Sequence, residues 1–196
     1  LVKLSHASDE KDVDYYTSMI RKIAPKKSET FKQIVDFSLQ KSPLNFFIIE
    51  LAHLCELPCD WKVIQKKLVL NFSQEEIQDA IKILIDSKRL EVKNKILVPT
   101  NYESVTTIPD TINLAARNNH KELCKLASEV LDKQALEERE FNSYAFNIDK
   151  DQLPEIKKYL RKFVSNFAEK FETRDPKKAN ATYNLNLHFF QVANKD

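Results

Sequence analysis

DWKVIQKKLVLNFSQEEIQDAIKILIDSKRLEVKNKILVP, residues 60–99, is the stretch whose reading decides the fold. Asp60 stands where a side chain can cap a short helix whose Val63, Ile64 and Leu68 turn inward. Ser73 opens a second helix with Glu76 three residues on, the spacing at which each side chain satisfies the other's free backbone amide. Ile77, Ala80, Ile81, Leu84 and Ile85 then recur with the 3.6-residue period, so this helix buries one face. Behind it, Leu90-Glu91-Val92 and Ile96-Leu97-Val98 read as the strands of a hairpin turned at Lys93-Asn94-Lys95.

Upstream, Ser42-Pro43 punctuates the chain, and a helix is expected from about Asn45 through Phe46, Ile49, Ala52 and His53 to about Glu56, with Pro58 ending it. Three helices followed by a hairpin is the order of a winged helix. Residues 9–41 hold two more short helical patterns, Val13 to Ile23 and Thr30 to Leu39, on either side of Pro25-Lys26-Lys27-Ser28. Downstream, the looser stretch Thr100 to Ile108 marks a boundary, and Pro109-Asp110 leads into a long helix through Leu114, Leu123, Ala127 and Val130. Tyr144, Phe146 and Ile148 alternate with Ala145 and Asn147, the two-residue period of a strand with one buried face. Asp151 can cap the next helix, and Pro154 is tolerated in its first turn because no backbone donor is required there. Its stripe is Leu153, Ile156, Leu160, Phe163, Val164, Phe167 and Phe171. A last strand sets Tyr183, Leu185, Leu187 and Phe189 against Asn184, Asn186, His188 and Phe190. The expected class is therefore α+β: a helical N-terminal segment at 1–42, a winged-helix-like module at 43–99, and a helix-strand-helix-strand unit at 109–196.

Glycine is absent from all 196 residues, where average usage of about 7% would supply it many times over. A phosphate-binding Walker loop, a dinucleotide-binding turn and a nucleophile elbow all need glycine where backbone takes positive φ or meets a ligand closely. Those three chemistries are excluded. Asparagine is the next-best residue for left-handed positions, and Lys93-Asn94-Lys95 is a turn expected to use it. Lys and Arg total 31 against 29 Asp and Glu, so the net charge of +2 exerts no long-range pull on nucleic acid or an anionic membrane. Cys55, Cys59 and Cys124 are too few and odd in number for a secreted disulfide framework, which points to a reducing cytoplasm. The longest apolar runs fall far short of the roughly 20 residues a membrane span requires. The only methionine is Met19, so the start at Leu1 leaves room for a longer native protein.

A winged helix calls for its last helix to be tried as a DNA reader. Residues 73–89 carry Glu75, Glu76, Asp79 and Asp86 against Lys82, Lys88 and Arg89, and the residues expected outward are Glu75, Gln78, Asp79, Lys82 and Asp86. Carboxylates there would face phosphates and oppose the term that supplies most nonspecific affinity. The DNA-contact candidates lie instead on the preceding helix, Lys62, Lys66 and Lys67, and on the wing, Lys88, Arg89, Lys93 and Lys95. Lys157, Lys158, Arg161, Lys162 and Lys170 make a second basic run, read as a solvated face. His53, Cys55 and Cys59 lack paired metal-knuckle spacing and read as buried thiols with a nearby histidine. His120 and Cys124 lie one helical turn apart, and with nothing in sequence to orient them they read as core or cap. No catalytic residue, metal ligand or cofactor is expected. Asn184, Asn186 and His188 line one face of the last strand, which meets solvent or else lines an interface or ligand cleft, and an edge this regular suits pairing with a second copy.

Three runs carry a likeness to a known family. They are Ala115-Ala116-Arg117-Asn118-Asn119-His120-Lys121, Glu137-Glu138-Arg139-Glu140-Phe141, and Asp151-Gln152-Leu153-Pro154-Glu155-Ile156-Lys157 followed by Tyr183-Asn184-Leu185-Asn186-Leu187. Together they resemble a family of bacterial proteins with a Cro-type helix-turn-helix in front, a winged-helix-like middle and a C-terminal domain of unknown function. The likeness spans about residues 40–196, with a departure at Phe190-Gln191 where the family tends to have Phe-Pro. It implies gene regulation, chiefly through a helix-turn-helix that has no counterpart in this chain. The resulting expectation is a cytoplasmic, non-enzymatic regulatory body that dimerises or senses, with DNA as a candidate partner. The alternative is an adaptor whose winged helix docks on another protein.

Overall fold

A computed structural model describes residues 38–100, 114–173 and 175–195. The expected helices at Val13 to Ile23 and Thr30 to Leu39, and the boundary stretch up to Ile108, lie almost wholly outside those residues. What is described is α+β, as expected.

Helix α1 spans Pro43–Leu54. Ser42 caps it by accepting from the Leu44 amide, and Pro43 occupies its first turn, where its fixed φ is preorganised and its missing N–H is no loss. The buried residues are Pro43, Leu44, Asn45, Ile48 and Leu51, while Phe46 and Ile49 pack at the margin of the core. Asn45 is fully enclosed, and its amide donates to the Leu39 carbonyl at 3.0 Å, fastening the turn that precedes the helix.

Pro58 does more than end that helix. Leu57–Pro58 form a short strand, β1, which pairs antiparallel with a later one through Leu57 opposite Leu97. Helix α2, Trp61–Lys67, follows with Asp60 as its cap, accepting from the Lys62 amide at 2.8 Å. Ile64 is its buried residue, and Val63 and Leu68 are half-buried. Gln65 then holds the glycine-free connection: its side chain donates to the Leu70 carbonyl at 3.2 Å and accepts from the Phe72 amide at 2.9 Å. Helix α3, Gln74–Asp86, carries the full Ser73/Glu76 capping box. Ile77, Ala80, Ile81 and Leu84 are buried as expected, whereas Ile85 is 36% exposed and lies off the core face.

Strands β2, Leu90–Lys93, and β3, Ile96–Pro99, make the hairpin, and the sheet order is β1-β3-β2. Asn94 and Lys95 turn it with φ of 50° and 65°. Two successive left-handed residues define the hairpin turn whose twist matches the flanking strands, usually made with glycine. One core joins these parts, with Leu39, Ile48, Leu57, Ile64, Ile77, Leu84, Leu90 and Leu97 nearly inaccessible to solvent. Burying a side chain of that size contributes about 2 kcal/mol.

Helix α4, Leu114–Lys133, touches α1 and buries Ala115. Two short 3-10 turns, Leu136–Glu138 and Lys150–Gln152, precede helix α5, Leu153–Phe171. The sequences expected as strands on either side of α5 form no ladder among the described residues. They do behave as extended chain. Tyr144 stacks on Phe146 with ring centroids 5.4 Å apart, and Asn184 Nδ2 donates to Asn186 Oδ1 at 2.8 Å, so residues two apart share a side. Phe146 meets Phe189 at 6.3 Å and Lys150 Nζ meets Asn194 Oδ1 at 2.7 Å, so the two segments run side by side in the same direction.

Candidate nucleic-acid interface

The seven basic candidates do not form one patch. Backbone pairing shows which belong together, because the Cys59 amide donates to the Lys95 carbonyl at 2.8 Å and sets the hairpin turn beside the start of α2. That contact gathers Lys62, Lys93 and Lys95 at one end of the sheet. Lys62 lies 5.7 Å from the Trp61 ring centroid, an exposed cation on an aromatic face. Lys93 is tied to Glu91 in an exposed ion pair, which leaves Lys95 as the outermost charge of the turn. Lys66 and Lys67 stand exposed in the last turn of α2. Lys88 and Arg89 sit at the opposite end of the hairpin, a strand length of about 13 Å away for four residues. Lys88 is exposed and takes a left-handed φ of 58°, which turns the chain out of α3, while Arg89 is half-buried.

On α3, Glu75, Gln78, Asp79, Lys82 and Asp86 are all exposed, so the outward face is acidic as expected. The N-terminal turn of α2 meets this face at an open cleft of about 520 Å³ lined by Cys59, Asp60, Trp61, Lys62, Gln78 and Ile81. Its charged groups are one cap carboxylate and one ammonium, so it does not concentrate charge of one sign.

The thiols divide differently from the expectation. Cys55 is half-buried and bonds its sulfur to the Leu51 carbonyl at 3.5 Å, whereas Cys59 lies past the helix and is exposed. Cys124 is also exposed, and here sequence spacing missed a neighbour: His188, 64 positions away, brings Nε2 to 3.7 Å from Cys124 Sγ, with the His120 ring 6.5 Å from its own. The polar face of the last segment therefore meets α4 at His188. Among the described residues no three His, Cys, Asp or Glu groups stand together closely enough to hold a metal ion. No described helix is long and apolar enough to cross a membrane.

A family model described as a domain of unknown function, DUF4423, matches residues 20–192. The chain belongs to this family. The DUF4423 match runs through both the three-helix core and the extended segments around α5, so the family's shared sequence includes the parts with and without a buried interior. No curated protein and no solved structure matches this DUF4423 chain.

Proposed function

We propose that this chain is the non-catalytic regulatory body of a bacterial transcription regulator, a winged-helix module joined to a unit that dimerises or senses. In this reading DNA is recognised mainly by a helix-turn-helix outside the chain. One observation carries it: the helix in the reader's position, α3, turns Glu75, Asp79 and Asp86 outward, while the basic side chains sit on α2 and the hairpin. A reader helix works the other way round, since phosphate contacts by Lys and Arg supply most of the affinity. The likeness at residues 115–121, 137–141 and 151–157 supplies the regulatory context.

Promoter occupancy by the native regulator in its own cells tests this. Glu75→Gln with Asp79→Gln should leave occupancy unchanged. Loss of occupancy by that variant, with the protein still folded and at normal abundance, would make α3 the reader and overturn the proposal.

The acidic face of α3 also favours a second reading, an adaptor whose winged helix docks on a basic partner protein. Under that reading the same double substitution abolishes partner capture, with DNA affinity absent throughout.

A further inference from the structure

The C-terminal unit carries its apolar residues on the outside. Tyr144 and Phe146 are 85% and 55% exposed, and Tyr183, Leu185, Leu187 and Phe189 are 74%, 48%, 44% and 39% exposed. The stacking of Phe146 on Phe189 makes the two rows one continuous surface. These two rows present on the order of 600 Å² of apolar surface, at roughly 200 Å² for a whole aromatic side chain. A standard interface takes about 800 Å² from each partner, so the rows supply most of one. Patches of this size mark interaction sites.

The backbone indicates what kind of partner fits. Among the described residues, the main chain of 140–148 and of 180–192 makes no hydrogen bond within the protein. The segment from Ala179 to Asn194 contains no Asp, Glu, Lys or Arg, in a chain where 31% of residues are charged. Solvent-facing edge strands are normally blunted by charge, and this one is not. That omission favours two-fold self-pairing. Antiparallel pairing of a strand with its own copy sets each residue opposite an equivalent of the same parity, so apolar meets apolar, and any charge near the centre meets its like.

We propose that residues 180–192 pair antiparallel with the same segment of a second copy, about a two-fold axis near Asn186, so that the apolar rows of the two copies join side by side into one face of that homodimer. This stands whether or not the chain regulates transcription. Sedimentation of the full chain at micromolar concentration should give about twice the chain mass of 22.9 kDa. Asn186→Lys and Asn186→Asp should each sediment at the mass of one chain, with helical circular dichroism retained. An equimolar mixture of the two should return to the doubled mass, because opposite charges then face each other. Leu185→Lys, on the other face, should also give one chain. A single-chain mass for the unaltered protein overturns the proposal, whether residues 1–37 or a different protein then covers the face. Charge variants that stay dimeric, or a mixture that stays monomeric, overturn it equally.

Discussion

The Cys59 amide donates to the Lys95 carbonyl at 2.8 Å, and this bond joins the start of α2 to the turn of the β2–β3 hairpin. It continues the pairing of Leu57 with Leu97 and Pro58 with Ile96 by one step beyond the strand. The turn is therefore held from both sides: by the ladder of β2 and by the chain entering α2. Lys62 and Lys95 become neighbours through it, although 33 positions separate them in sequence.

That turn carries strain a glycine would relieve. Lys95 holds φ at 65°, and a left-handed residue with a Cβ costs about 1–2 kcal/mol, part of which glycine gives back through its looser unfolded chain. Lys95→Gly should raise stability by up to about 1 kcal/mol, read from the urea midpoint. Asn94→Val, which puts a β-branched residue at φ 50°, should lower it by more than that.

Loss of the α3 capping box should be visible on its own. The Ser73 hydroxyl accepts from the Glu76 amide at 3.2 Å, and Ser73→Ala should cost about 1 kcal/mol in the same denaturation experiment. Ile48→Ala, at a site with no solvent exposure, should cost about 2–5 kcal/mol, enough to unfold a small module. Val69→Ala, at a side chain 65% exposed, should change stability by less than about 0.5 kcal/mol.

Much of the core was legible in the sequence because long periodic runs repeat the same instruction. Ile77, Ala80, Ile81 and Leu84 announce their buried face four times, and Ser73 with Glu76 announces where it starts. β1 was missed because Leu57–Pro58 is two residues long and cannot display a period, and because proline reads as a stop signal. Proline is tolerated there because β1 lies at the edge of the sheet, where an absent N–H costs no ladder bond. The alternation at Tyr144 to Ile148 and Tyr183 to Phe189 implies strands with one buried face, whereas neither segment joins a ladder among the described residues and both apolar rows are exposed. It carries no information about which backbone will complete the hydrogen bonds. His188 beside Cys124 was out of reach for a different reason, since no local spacing links positions 64 apart.

On α4, the Lys133 ammonium bonds Glu129 at 2.9 Å one turn away, and that hydrogen bond and the charge behind it hold the Glu129 carboxyl below its ordinary pKa, with Lys125 adding a little. A depressed folded-state pKa contributes stability above the unfolded pKa, and the contribution disappears as pH falls through the folded value. Lys133→Gln should move the Glu129 titration upward by carbon-detected NMR and remove its share of that acid sensitivity. The effect on overall stability should be small, because both groups face solvent.

The basic end of the three-helix module should give only weak, salt-sensitive contact with nucleic acid. Each phosphate contact contributes a slope of about −0.9 to the logarithm of affinity against the logarithm of salt. Replacing Lys62, Lys93 and Lys95 with alanine should flatten that slope by up to about three such contacts, with helical content unchanged. Alanine at Lys157, Lys158 and Arg161 should not flatten it.

The most direct test of the chain as a body, with DNA recognition elsewhere, is fluorescence anisotropy of this protein against a random pool of duplex DNA and against its own promoter. It should be run at about 50 and about 200 mM salt, a range over which purely electrostatic binding collapses. The expected result is equal, weak binding to both DNAs at low salt and none at high salt. Promoter-selective binding that survives the higher salt would contradict the account, because it would make this chain a reader of sequence in its own right.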